Sequence, residues 1–126
     1  MGGVVRRIIH LSTPIRGRLA EEVSVLEVAE RLHPTPAVGG TPRASALEFI
    51  RAQEQYPRGW YAGLVGVLGE RGDGELAVAI RSTLIEGDEA RVFAGAGLVP
   101  ASDPDAEYAE TASKQRSILD ALGVDA

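Results

Sequence analysis

Cysteine is absent from the 126-residue chain, which excludes a disulfide framework, a zinc–thiolate site and a cysteine nucleophile together. Its absence fits a reducing cytoplasm. Excess positive charge is missing as well. Thirteen Lys and Arg against 18 Asp and Glu leave a formal net charge of -5, without the basic footprint that neutralises nucleic-acid phosphates. Nucleic acid is therefore not an expected partner. No apolar run approaches the roughly 20 residues of a membrane-spanning helix. The first ten residues carry Arg6, Arg7 and a short apolar pair rather than the long apolar stretch of a secretory leader. The chain holds no G-x-S-x-G elbow, no P-loop and no G-x-G-x-x-G, so hydrolase triads and nucleotide-phosphate cradles find no support.

What is present describes an ordinary folded protein. The hydrophobic fraction is 44% and the charged fraction 25%, unlike the composition of a disordered chain. The length suits one domain or a piece of a larger one. A chain of this size is expected to bury about two thirds of its unfolded surface. Residues 4–11 (VVRRIIHL) are rich in β-branched side chains and read as a strand. Residues 23–32 place Val25, Leu26, Ala29 and Leu32 at helical spacing, with Ser24 near the start. Residues 33–42 (HPTPAVGGTP) are expected to be irregular, because prolines remove backbone donors and Gly39-Gly40 opens unusual backbone angles. A helix over 43–55 follows, with Thr41 as its expected N-cap and Pro42 at the first helical position.

From Gly59 the period changes to two. Residues 61–68 and 75–83 read as strands joined by the turn GERGDG (69–74), and 83–85 with 90–94 as a hairpin around EGDE (86–89). The last helix is expected over about 104–122, with Ser102 and Asp105 as a capping-box variant. This order gives an α+β fold with a mainly antiparallel sheet and packed helices.

Several residues could carry chemistry, and each has a plainer role beside it. Glu107, Glu110 and Lys114 lie at i, i+3 and i+7 on one stripe. Two carboxylates one turn apart can hold a hard cation such as Mg²⁺, while spacing alone favours a solvated face with a Glu110–Lys114 pair. Arg81 closes an apolar run and either grips a carboxylate or faces outward at a strand end. Gly95 and Gly97 allow backbone to approach an anion, although a bulge or tight turn is the commoner use. His10 could act as a donor or acid–base group, but a lone histidine in a strand is usually structural.

The motifs go further than the physics. His10-Leu11, HPTPAVGGTP (33–42), RGWYAGLVG (58–66), AIRS (79–82), AGAGLV (94–99) and DPDAEYAET-x-x-K (103–114) occur in one order with sensible gaps. Together they cover nearly the whole chain and resemble the C-terminal portion of the chorismate-binding enzymes, which include isochorismate, salicylate, anthranilate and aminodeoxychorismate synthases. The HPTPA segment resembles the isochorismate synthase branch; salicylate-forming members resemble it too, often with Thr where this chain has Ala37.

The resemblance implies the remaining expectations. The fold would be part of an anthranilate synthase component I-like, chorismate-binding domain, with residues 1–126 as its C-terminal part. Glu110 and Glu107 would bind Mg²⁺, reversing the plainer reading of that stripe. Arg81 and Lys114 would grip chorismate, with Tyr61 nearby and backbone donors at Gly95 and Gly97. Thr35 and Ala37 would line the pocket, and His10 would lie near the ring substituents. In the family the water-activating lysine, the general-acid glutamate and a partner metal glutamate come from segments before the His-Leu motif, so an enzyme part completed by another chain is expected. The alternatives are a non-catalytic chorismate-binding remnant or partner subunit, or a fragment of a salicylate or anthranilate synthase component. The family's sheet continues into its N-terminal half, so self-association through an exposed sheet edge is also expected.

Overall fold

A computed structural model describes residues 13–124; the expected strand over 4–11, with His10, lies outside the described residues. Helix α1 (Val25–Leu32) starts at Ser24 with a complete capping box. The Ser24 hydroxyl accepts the Glu27 N–H at 3.3 Å, and the Glu27 carboxylate accepts the Ser24 N–H at 2.8 Å. The carboxylate's bond from the Ser24 N–H foremost, and a second one that it accepts from the Ser24 hydroxyl at 2.9 Å, hold the Glu27 carboxyl below its ordinary range. A carboxylate with a lowered folded-state pKa stabilises above its unfolded value, and this contribution fades as the pH falls through the folded one. Ser24→Ala should lower the unfolding free energy by about 1 kcal/mol, read as a reduced urea midpoint with an unchanged slope. An unmoved midpoint would show that the cap contributes nothing.

The segment expected to be irregular contains a helical turn, α2 (Pro36–Gly39). Pro36 occupies the first helical position, where a missing N–H costs nothing, and the Val38 and Gly39 N–H groups donate to the Thr35 carbonyl at 3.0 and 2.8 Å. Gly40 ends the turn at φ 73°, with Ala46 so close that an added Cβ would lie 2.6 Å from that methyl. Helix α3 (Arg43–Gln53) stops two residues short of the expected end, and Thr41 is not its cap. Pro42 holds the N-cap position with extended backbone at ψ 138° and offers no side-chain acceptor. The Arg43 guanidinium donates to the carbonyls of Arg31 and His33, tying the start of α3 to the end of α1.

The β region is two antiparallel hairpins. Strand β1 (Leu64–Leu68) pairs with β2 (Gly74–Val78), and β3 (Ser82–Glu86) pairs with β4 (Glu89–Phe93). The single strand expected over 75–83 is interrupted. The Ile80 N–H folds back to the Val78 carbonyl at 2.9 Å and Arg81 adopts φ 50°, so Arg81 lies between two strands rather than at the end of one. The strand expected from Tyr61 begins only at Leu64, because turn hydrogen bonds from Tyr61 to Arg58 and from Gly63 to Trp60 precede it. Ala62 and Ala79 nevertheless keep the two chains together, through Ala62 N–H to Ala79 carbonyl at 2.8 Å and Ala79 N–H to Gly63 carbonyl at 2.9 Å.

Helix α4 (Pro104–Leu122) has the expected span but a different cap. Asp103 accepts the Ala106 N–H at 2.8 Å, one residue after the expected Ser102. Ser102 is engaged elsewhere: its hydroxyl accepts the Val99 N–H and donates to Glu107. Gly123 closes the helix in the left-handed region at φ 72°.

The architecture is α+β, yet the expected burial is not reached. Among the described residues only Gly39 and Ala62 are buried, since thin hairpins and single helices leave most apolar faces uncovered. No described helix is long and apolar enough to cross a membrane.

Candidate functional site

Five separate segments meet around a cavity of about 340 Å³, a size that suits a small organic ligand. Helix α2 supplies Ala37 and Val38, and the connection from α3 to β1 supplies Arg58 and Tyr61. Ile80 and Arg81 come from the break between the hairpins, residues 94–97 from the chain after β4, and Lys114 from the middle of α4. Ala37, Tyr61, Arg81, Gly95, Gly97 and Lys114, all singled out in the sequence, thus line one cavity. Thr35 does not line the cavity; it is the N-cap residue of α2.

Three cations face this space, Arg58, Arg81 and Lys114, against one lining carboxylate, Glu54. The balance favours an anionic ligand. Lys114 is held in place: its side chain is 12% exposed, and Nζ donates to the Gly95 carbonyl at 2.9 Å and pairs with Glu110 at 2.7 Å. Gly95 therefore contributes a carbonyl to the lysine in this arrangement. Tyr61 stacks on Phe93 with ring centroids 5.5 Å apart and an interplanar angle of 17°. Its hydroxyl reaches over Gly95, where an added Cβ would approach to 2.7 Å.

Glu107 and Glu110 lie on α4 outside the cavity lining, each engaged by a neighbour. Glu107 accepts the Ser102 hydroxyl at 2.7 Å, and Glu110 takes the Lys114 ammonium. Their hard oxygen donors, one turn apart, suit a divalent cation in kind, and both partners would have to yield to it. Among the described residues no group of three or more His, Cys, Asp or Glu is gathered for a metal.

Arg58 and Glu54 were not singled out by the sequence. Arg58 is 28% exposed and binds Glu54 through Nε at 2.8 Å and Nη2 at 2.6 Å. Hydrogen bonding to Glu54 is the main cause that raises the guanidinium pKa above its ordinary value. Their spacing, i and i+4, was the visible signal, but α3 ends at Gln53, so this is no helical surface pair. A neighbouring cavity of about 620 Å³ shares Val38, Arg58 and Gly97 and adds the apolar side chains of Phe49, Ile50 and Leu98.

Comparison with known proteins agrees with the motif pattern. The family model described as chorismate binding enzyme matches residues 4–123. The isochorismate synthase MenF of Bacillus subtilis is 49% identical over 118 residues, covering 94% of this chain and 25% of that protein. The salicylate biosynthesis isochorismate synthase of Pseudomonas aeruginosa is 48% identical over 116 residues, covering 92% and 24%. A crystal structure from Bacillus anthracis, described as a 2,3-dihydroxybenzoate-specific isochorismate synthase, superposes with a TM-score of 0.78 at 44% identity. That match covers 81% of this chain and 27% of the other. The chain spans between about a quarter and a third of the length of the curated relatives it matches.

Proposed function

Since this chain belongs to the chorismate-binding enzyme family, we propose that its cavity binds chorismate and that it forms the substrate-gripping part of an Mg²⁺-dependent isochorismate synthase. The observation that carries this reading is the convergence of Arg81, Lys114 and the 94–97 backbone on one small cavity beside the Tyr61 ring. Chorismate is a small ring dianion, and a guanidinium with an ammonium in the lining of one cavity matches two carboxylates.

In the proposed reaction water adds at one ring carbon as the hydroxyl group leaves another, so the net change is isomerisation. Arg81 would fork onto one carboxylate and fix the ring's orientation. Lys114, already fixed by the Gly95 carbonyl, would neutralise part of the ligand's charge. Tyr61 would form the floor against which the ring lies. Glu107 and Glu110 would hold Mg²⁺, which when bound anchors a carboxylate and stabilises its charge. These residues bind and orient; proton transfer at the two carbons requires an acid and a base on opposite sides. A second reading, a chorismate-binding module without turnover that works beside another polypeptide, is supported by the exposed apolar faces of both hairpins.

Calorimetric titration of chorismate in the presence of Mg²⁺ tests the site directly. Arg81→Ala should weaken binding by about tenfold or more, the lower range for a hydrogen bond to a charged group, since Arg81 is exposed. Unchanged affinity would remove Arg81 from the site. Chromatographic detection of isochorismate, after adding a polypeptide equivalent to the rest of the relatives' length, separates the two readings.

A further inference from the structure

We propose that Arg58 is a positioning residue of the cavity: its one guanidinium locks three separately folded pieces of the wall together and makes no contact with the ligand. The first piece is α2, where Nη1 donates to the Val38 carbonyl at 2.7 Å. The second is the C-terminal end of α3, where Glu54 receives Nε and Nη2 from the same fork. The third is Tyr61, whose ring centroid is 5.8 Å from the guanidinium carbon and whose N–H donates to the Arg58 carbonyl at 2.9 Å.

The chemistry assigns Arg58 to support rather than recognition. Glu54 takes Nε and Nη2 in a two-point pair and the Val38 carbonyl takes Nη1, so each nitrogen of the Arg58 guanidinium is already committed to the protein. The restraint reaches further through Tyr61, which stacks on Phe93 and sets its hydroxyl over Gly95. One fork therefore links α2, α3, the start of the first hairpin and the chain after β4. Lysine has a single charged nitrogen and cannot reproduce this planar geometry.

The inference rests on the chorismate reading only for its ligand measurement, and a second measurement stands apart from it. In native-state amide exchange, Arg58→Lys and Glu54→Gln should each speed exchange at residues 38–40 and 61–63 by about tenfold or more, with residues 84–91 around the β3–β4 turn unchanged. In calorimetry with chorismate and Mg²⁺, each should weaken binding by about tenfold, and the double variant by little more than either single one, because the pair acts as a unit. Combination of Arg58→Lys with Arg81→Ala should instead multiply the two losses. Unaltered exchange at 38–40 and 61–63, exchange accelerated uniformly over the chain, or independent losses for Arg58 and Glu54 would each overturn the assignment. If the unaltered chain binds no chorismate, the functional reading fails, and amide exchange still decides the role of Arg58.

Discussion

In isolation at micromolar concentration, the chain should run well above its monomer mass of 13.3 kDa in light scattering. It exposes 11080 Å², whereas a folded monomer of this mass exposes roughly 6,400 Å². The excess is larger than the roughly 1,600 Å² that a standard protein interface buries. Large apolar side chains on the strands contribute to it: Val65 and Val67 share one face of β1, and Ile85 is exposed on β3. Each described strand pairs with a single neighbour, so every one presents an unpaired backbone edge. Two-stranded hairpins are marginal by themselves, and association covers both liabilities at once. Lysine at positions 65 and 67 should move the distribution toward monomer by placing charge on that face. A sharp monomer peak independent of concentration, with helical circular dichroism retained, would show that these faces need no cover. Addition of a polypeptide that completes the proposed enzyme by covering these faces should compete with self-association.

The parts of this architecture legible in the sequence are those governed by local rules. Ser24 marks the start of α1, EGDE (86–89) the β3–β4 turn, and the span expected over about 104–122 is that of α4. The misreadings in the elements come from details that periodicity does not carry, a backbone reversal in one case and a competing side chain a few residues away in the other. Residues 75–83 alternate like one strand, but Arg81 turns at φ 50° and sends the chain into a second hairpin. Ser102 has the chemistry of a cap, yet its hydroxyl is taken by Glu107 and Asp103 caps instead. The candidate site follows the same division. Spacing and chain position brought Arg81, Lys114 and the glycine pair to notice and the family motifs gave them roles, whereas Arg58 depends on Val38, twenty positions earlier, and on the Tyr61 ring. Periodicity cannot report either contact.

Gly95→Val should abolish measurable chorismate binding and lower the unfolding free energy by about 1–3 kcal/mol, while Gly97→Ala should stay within about 0.5 kcal/mol of the parent. The two glycines are two positions apart in the same segment, but only one is crowded. A Cβ at position 95 would lie 2.7 Å from the Tyr61 hydroxyl, whereas one at position 97 meets nothing within 4 Å. An exposed tyrosine tip would swing aside at little cost. Tyr61 is half-buried and cannot do so freely, because its ring is stacked on Phe93 and faces the guanidinium of Arg58. Relief of the clash must therefore break that stack or push the 94–97 segment outward. The second route drags the Gly95 carbonyl away from Lys114 and with it the ammonium that faces the cavity. Tyr61→Phe supplies the control, since it removes the hydroxyl and keeps the stack. Added to Gly95→Ala, it should recover most of the stability lost by Gly95→Ala alone, a coupling visible in a double-mutant cycle of urea midpoints. Strict additivity would mean that the glycine serves the backbone itself, as a bulge or anion donor, and that the tyrosine hydroxyl is not the reason for it.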